Sequence, residues 1–367
     1  MKSLDRNFLE TQAIPIEMGG LLQALGEFKG RQDLFRHQTP QVLESLRQLA
    51  VIESTESSNR IEGVTVSPER FKELMLHPTK PRDRSEAEII GYRDILSQIH
   101  TTADRFEITE ETIQKFHHAI YAQTDISGGQ WKKRDNTIEE RLPDGRWITR
   151  FIPVSARETP FFMQELCTRF DRLWDARRIS PLLLIPAFVL DFLCIHPFAD
   201  GNGRVSRLLT VLLLHQAHYE VGRYVSLERL IEESRETYYE ALQRSSEGWH
   251  EGRHRLKPWW EYFLGILIKA YREFEERVGT VTKVRGAKTA LIEQAIERLP
   301  SSFPISDLER SCPTVSRDMV RVVLNRLRKE GRLLCKGTGR NALWEKRVNK
   351  QPKRGNKRGN MIGSWSD

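Results

Sequence analysis

The chain has 367 residues, a net charge of +8 and four cysteines, so it is too long for one average domain and too poor in cysteine for a disulfide scaffold. Its N-terminus, MKSLDRNFLETQ, lacks the apolar core of a leader, and its most apolar run, PLLLIPAFVLDFLCI, is fifteen residues long with two prolines and an aspartate. These features exclude a membrane span and lead us to expect a cytoplasmic protein whose Cys167, Cys194, Cys312 and Cys335, none in a CxxC spacing, are reduced.

Helical periodicity dominates, which predicts a mostly α body. Residues 13–30 read as a Pro- and Gly-containing lead. A helix is then expected from Thr39-Pro40, with Thr39 as N-cap and Val42, Leu46, Leu49 and Ile52 on one face, ending near Glu62-Gly63. Two amphipathic helices follow within 84–122. The pattern breaks at SGGQWKKRDNTIEERLPDGRWITRFIPVSARETP, where a Pro-Asp-Gly turn and β-leaning Trp147 to Ile152 predict an exposed hairpin. Apolar helices resume at 161–174, 181–195 and 205–219, the last two apolar enough for the centre of a bundle.

Composition shifts near Gly279. Residues 281–367 hold 20 Lys and Arg against 8 Asp and Glu, so the remainder of the chain is net acidic by four charges. The order helix, short helix, basic helix and two short strands is that of a winged helix-turn-helix; its helix 315–330 sets Arg317, Arg321 and Arg328 on one face suited to phosphates or a major groove. The expected units are 1–83 (N-terminal helices), 84–278 (helical core), 279–346 (winged helix) and 347–367, a disordered basic tail.

The chemistry concentrates at 194–207, CIHPFADGNGRVSR. Taken singly, these residues suit any helix-to-helix turn. Together they offer more: Gly201 to Arg204 would present backbone N–H groups at a helix N-terminus, a ready anion site. Arg204 and Arg207 lie three apart, Asp200 is positioned for a divalent cation, and His196 has a near-neutral pKa suited to accepting a hydroxyl proton. There is no GxxxxGK(S/T) loop, and the other nine histidines lack metal-ligand spacing; His117-His118 reads as helix surface.

HPFADGNGR matches every fixed position of the signature HPFx(D/E)GN(G/K)R, and the chain from about residue 10 to 345 resembles multidomain bacterial proteins of the Fic family. The resemblance implies a helical bundle with a β-hairpin flap that transfers AMP from ATP, with Mg2+, to a Tyr, Thr or Ser hydroxyl of a target protein, itself included. It implies His196 as general base, Asp200 as magnesium ligand and Gly201, Asn202 and Gly203 as phosphate nest. Arg204 and Arg207 would hold the β- and γ-phosphates, with Val205 and Ser206 in the same nucleotide-binding stretch.

SSNRIEG at 57–63 puts Ser58 and Glu62 on one helical face, with Glu62 in the last turn, where the helix dipole disfavours an anion. It matches the family's inhibitory motif, (S/T)xxxE(G/N), which implies that Glu62 pairs with Arg207 in the γ-phosphate site. By the same resemblance Ile148, Thr149, Arg150 and Phe151 form the target-binding edge, and Tyr238 and Tyr239 lie near the nucleotide. An asparagine some members carry seven positions after the second tyrosine is here Ser246, which puts that contact in doubt. Three functions stay open: an autoinhibited adenylyltransferase; a winged-helix DNA-binding regulator whose body senses nucleotide; or a Fic enzyme that uses another nucleotide or removes AMP. The partners expected are ATP, a target protein, a second copy of the chain, and DNA, with no membrane.

Overall fold

A computed structural model of the chain describes residues 2–38, 40–141, 144–283, 287–312, 315–337 and 342–347. Thr39, Pro143, the tip at 338–341 and residues 348–367 of the expected tail lie outside them.

The N-terminal helices are α1 (Arg6–Glu10), α2 (Ile16–Gln38), α3 (Pro40–Ile61) and α4 (Pro68–Leu76). Then come α5 (Arg84–Thr102) and α6 (Glu110–Tyr121), capped by Asp83 and Thr109, whose side chains accept from the N–H groups of Glu86 and Thr112. The hairpin follows as β1 (Ile138–Arg141) and β2 (Trp147–Phe151), antiparallel, with Glu139 opposite Thr149 and a register shift beside Ile138. The body is completed by α7 (Thr159–Ala176), α8 (Pro181–Ile195), α9 (Asn202–Gln216), α10 (Leu227–Glu233), α11 (Arg235–Ser246) and α12 (Lys257–Lys283). The protein is thus mostly helical with small sheets.

The core gathers on α8 and α9, whose apolar residues are almost all buried. Helix α12 is fastened across α8 by Trp259 and Trp260, whose indole N–H groups donate to the carbonyls of Pro186 and Leu183, each at 2.9 Å. That dry scaffold fixes where α8 ends and α9 begins.

Residues 13–30 are no lead but most of α2. Met18, Leu25 and Phe28 are buried, Lys29 Nζ donates to the Ala217 carbonyl (2.9 Å), and Gln32 Oε1 accepts from the Glu220 N–H (2.9 Å) and the Tyr271 hydroxyl (3.0 Å). Tertiary contacts of this kind override the poor helix propensity of four glycines. Helix α12 runs through Gly279 to Lys283.

Beyond it, α13 (Ala287–Arg298), β3 (Ser302–Pro304), α14 (Ile305–Ser311), α15 (Arg317–Lys329), β4 (Leu333–Lys336) and β5 (Leu343–Lys346) build a separate small core around Phe303, Leu308, Val320, Leu324 and Trp344. Its antiparallel sheet runs β3-β5-β4, one strand more than the sequence suggests. Among the described residues no helix is long and apolar enough to cross a membrane.

Gly20 and Gly26 of α2 are exposed, and a Cβ added at either would meet nothing within 4 Å. Replacing Gly26 with Ala should therefore raise stability by about 0.5–1 kcal/mol, since Ala costs less backbone entropy in a helix. Denaturant unfolding measures this; a destabilised variant would refute the open environment.

Candidate active site

Helix α8 ends at His196, which caps it in a left-handed conformation (φ 51°, ψ 61°) with its N–H on the Phe192 carbonyl at 2.9 Å. That backbone is costly for a residue with a Cβ, by about 1–3 kcal/mol, so surrounding contacts must enforce it. An Nδ1–H donating to the Leu193 carbonyl (3.3 Å) leaves Nε2 as a free acceptor. Burial pushes the imidazole pKa down to about 4; Lys132 acts the same way, while the Leu193 carbonyl, Glu62 and Asp200 oppose it. His196 is therefore neutral at pH 7.

The chain then turns through 197–201 into α9. Gly201 caps that helix at φ 79°, and a Cβ there would come within 2.9 Å of the Tyr121 hydroxyl, so glycine is required twice over. Asn202 closes the turn on itself: its Oδ1 accepts from the Phe198 N–H (2.9 Å) and its Nδ2 donates to the Phe198 carbonyl (2.8 Å). Its side chain is thus spent on shaping the loop. Phe198, fully buried, stacks on His117 with ring centres 3.8 Å apart.

Asp200 lies at the mouth, its side chain 54% exposed, accepting from the Gly201 N–H (2.7 Å) and from Arg84 Nη2 (2.8 Å). Partial burial works against this carboxylate, but Arg204, the Gly201 N–H and Arg84 hold its pKa below the usual range. Arg204 is almost wholly buried: it pairs with buried Glu88 and donates to the Tyr121 hydroxyl (2.7 Å) and Asn59 Oδ1 (3.4 Å). In this conformation Arg204 braces the loop against α3, α5 and α6, and its Nη2 lies 3.8 Å from Asp200 Oδ1. Val205 is core, and Ser206 is buried with its hydroxyl on the Gly203 carbonyl (2.8 Å), so neither side chain opens to the cleft.

Arg207 and the end of α3 meet. Its Nε donates to Ser58 Oγ (2.8 Å), and its Nη2 to the Ser58 carbonyl (2.9 Å) and to Glu62 Oε1 (2.8 Å). Arg207 is 4% and the Glu62 side chain 26% exposed. Burial disfavours the guanidinium's charge, but the Glu62 carboxylate outweighs that and raises its pKa. The same carboxylate reaches over the first turn of α9 so closely that a Cβ on Gly203 would collide with it. A negative group thus sits on the positive end of a helix and on an arginine at once.

Tyr238 is buried and Tyr239 44% exposed, their rings edge to face at 5.1 Å; burial raises both pKa values, with Arg207 and Glu62 each within electrostatic reach. In the hairpin, Ile148 and Thr149 pair with Glu140 and Glu139. Phe151 does not project: it stacks on His250 (5.5 Å) and packs edge-on to Trp249, while His250 Nε2–H donates to the Ile152 carbonyl at 2.8 Å. Arg150 lies between these two ends. The described residues contain no cluster of three or more metal-binding side chains.

Sequence reasoning missed the supports. His117, read as helix surface, is buried under the loop; its Nδ1 accepts from the Gly129 N–H (2.7 Å), so its Nε2–H donates to the Asp200 carbonyl (3.1 Å), and burial lowers its pKa to about 4. Lys132, Asn136, Glu88 and Tyr121 were missed too. The only signal was Arg84 and Glu88, an i,i+4 pair at the start of α5.

The fold and site thus define a helical protein whose candidate centre is a glycine-capped helix N-terminus facing a neutral histidine. Residues 107–214 match the model of the Fic/DOC family, so this stretch of the helical body carries a Fic domain. The chain is 26% identical over 220 residues to a protein adenylyltransferase Fic of Drosophila erecta, covering 58% of this chain and 40% of that one. To the Drosophila melanogaster protein of the same name it is 28% identical over 166 residues, 44% and 30% of the two chains. The chain therefore spans well under half the length of these curated relatives. Among solved structures, a Fic family protein from Desulfovibrio desulfuricans G20 superposes with a TM-score of 0.58 at 21% identity, covering 92% of this chain and 98% of the other. Fic-1 from C. elegans does so at 0.52 and 21%, covering 71% of each. These two establish the shared fold.

Removing Glu88 would strand a buried guanidinium. Glu88→Ala should cost about 3–5 kcal/mol in denaturant unfolding, whereas Arg84→Ala, whose side chain is 56% exposed, should cost under about 1. Equal costs would refute the bracing role of Arg204.

Proposed function

We propose that the protein is a self-inhibited adenylyltransferase, which transfers AMP from ATP to the hydroxyl of a protein side chain. The observation that carries this reading is the Glu62 carboxylate seated between Arg207 and the first turn of α9, where a terminal phosphate would bind. A site that attracts one anion so strongly suits another of similar size. The adenylyltransferase name of the Drosophila relatives supports the choice of chemistry.

In this mechanism the target hydroxyl oxygen attacks the α-phosphorus while its proton passes to His196 Nε2. The bond from the α-phosphorus to the bridging oxygen breaks, and pyrophosphate leaves. Little covalent help is needed; positioning and charge stabilisation carry the rate. Gly201 and Gly203 let backbone N–H groups approach the phosphates, Arg207 takes the γ-phosphate once Glu62 withdraws, and Arg204 holds the loop and the phosphate nest in register. Asp200 fits a magnesium ion, being a single exposed carboxylate at the mouth whose partner Arg84 is also exposed. A magnesium there would neutralise charge on the leaving phosphates, and one carboxylate suffices when phosphate oxygens supply other ligands. The edge of β2, Ile148 to Arg150, would receive the target backbone as an added strand. Tyr238 and Tyr239 flank the nucleotide.

The C-terminal unit supports a second partner. Its order α13-β3-α14-α15-β4-β5 reads as a winged helix, and Arg317, Arg321, Arg328 and Lys329 are exposed along α15, although Arg317 pairs with Glu309 at 3.0 Å. DNA is the ligand that face suits. Cys167, Cys194, Cys312 and Cys335 are not bridged by disulfides, which agrees with a cytoplasmic setting.

The reading is tested with α-labelled ATP and magnesium. Glu62→Gly should raise label transfer at least tenfold over the wild type, and adding His196→Ala should lower it by about 100-fold or more. A Glu62→Gly protein that binds ATP and labels neither itself nor any lysate protein would exclude adenylyl transfer.

The pH dependence follows from the neutral imidazole. His196 loses its acceptor only as pH falls through about 4, and removing Glu62, which favours the protonated form, moves that limb lower still. The Glu62→Gly rate should therefore be flat with respect to this group from pH 8 to 6. A limb centred near 6.5 would contradict the buried environment.

A further inference from the structure

Three carbonyls flanking His196, those of Ile195, Pro197 and Phe198, are held by one short irregular segment, residues 132–136, that precedes the hairpin. Lys132 Nζ donates to the Ile195 carbonyl at 3.2 Å, the Lys132 backbone N–H donates to the Pro197 carbonyl at 2.8 Å, and Asn136 Nδ2 donates to the Phe198 carbonyl at 3.2 Å. The two side chains are joined by a bond of 2.8 Å from Lys132 Nζ to Asn136 Oδ1. Lys132 is only 5% exposed, unusual for a lysine, and sits at the C-terminal end of α8, where a cation is favoured and the last carbonyls lack helical partners. His196 lies between the first and second of these carbonyls, in the left-handed conformation.

Local sequence does not explain that conformation. A helix C-cap with positive φ ordinarily takes glycine, and a histidine there needs its neighbours fixed on both sides. The 132–136 segment contributes to this, holding the carbonyl of the residue before His196 and those of the two residues after it. The same segment is anchored above, where Asp135 Oδ1 accepts from the Ala156 N–H at 2.6 Å, and it runs directly into β1. Trp131, next in line, packs on Phe198 with ring centres 5.0 Å apart.

We propose that Lys132, with Asn136, is the positioning residue for His196: it sets the backbone from which the imidazole is aimed and links that aim to the root of the hairpin. The inference rests on the reading of His196 as the proton acceptor. The Lys132 side chain matters through the two bonds its ammonium donates, to the Ile195 carbonyl and Asn136 Oδ1, so arginine, which can keep the charge and two donors, should retain much of its effect, and methionine, of similar length, should not. Loss of aim lowers the chemical step and leaves ATP binding untouched, because the helix N-terminus and Arg207 are held by other contacts.

The test is made in the full chain carrying Glu62→Gly. Adding Lys132→Met should lower kcat at least tenfold with KM and the dissociation constant for ATP within twofold, and Lys132→Arg should restore most of the loss. Asn136→Ala, which removes one of the three grips, should lower kcat about threefold to tenfold and stands in if the methionine variant does not fold. An unchanged kcat, or a rise in KM for ATP with kcat kept, would overturn the proposal. NMR of ring-labelled histidine gives a readout independent of the reaction: Lys132→Met should move the His196 resonance, assigned by its loss in His196→Ala, and Lys132→Arg should leave it. A His196 signal indifferent to Lys132→Met overturns the positioning role, whereas absence of transfer in Glu62→Gly alone, with the resonance shift present, overturns only the reaction.

Discussion

The N-terminus of α9 presents the N–H groups of its first turn and the positive end of a helix dipole, and such a terminus favours a negative partner. Everything around it is arranged by that preference. Glu62 meets it from within the chain, and Arg207 doubles the attraction, so the carboxylate is drawn out of its own helix end, where the dipole disfavours it, into another helix's favourable field. Arg207, nearly buried, cannot be left without an anion except at a cost of about 3–5 kcal/mol. An exchange of one anion for another avoids that cost, which is why a competing phosphate is the natural way to displace Glu62. The internal carboxylate has the advantage of a tethered group, with an effective concentration in the millimolar range or above. A free nucleotide wins only if it offers more contacts than the carboxylate does.

Holding such a terminus open demands a loop that cannot collapse onto it. The supports form layers: Asn202 closes the turn, His117 and Phe198 fill the space beneath, and Arg204 with Glu88 locks the assembly to α5. Most of the buried polar atoms here are paired, Arg204 Nε being an exception, and pairing in a low dielectric makes the network stiff. The consequence is a division of labour between two arginines three residues apart. Arg204 is used up in structure, whereas Arg207 has a partner that can leave.

The outline of this arrangement was legible in the sequence because it depends on local rules. A glycine at a left-handed cap, a helix beginning near 205 (Asn202 in the structure) and a helix ending near Glu62 follow from short-range chemistry, and the structure brings Glu62 and Arg207 to 2.8 Å. The supports were not legible, because their partners are far away in sequence. Lys132 and His117 belong to segments whose polar composition reads as exposed surface, and only the tertiary fold turns them inward. Helix α2 escaped for the same reason: its glycines argue for a loop, and contacts with residues near 217–220 and 271 decide otherwise. Phe151 was assigned to a target-binding edge by resemblance alone, but Trp249 and His250 hold it at the root of the hairpin.

The contacts of the small C-terminal unit fall on the same helices that deliver Glu62. Arg298, the last residue of α13, lies 3.6 Å from Glu53 of α3, an acid that Arg229 and Arg277 also approach at 3.6 and 3.4 Å. Lys72 of α4 donates to the Leu299 carbonyl, and Leu76 packs into the core of the C-terminal unit. Glu62 therefore sits between two helices, α3 and α4, that are both held from behind. Withdrawing the carboxylate requires the end of α3 to move or the Glu62 side chain alone to rotate, and with both flanking helices anchored the second is the less costly path. A stiff backbone with one mobile side chain gives a sharp two-state choice at Arg207, since packed helices resist intermediate positions.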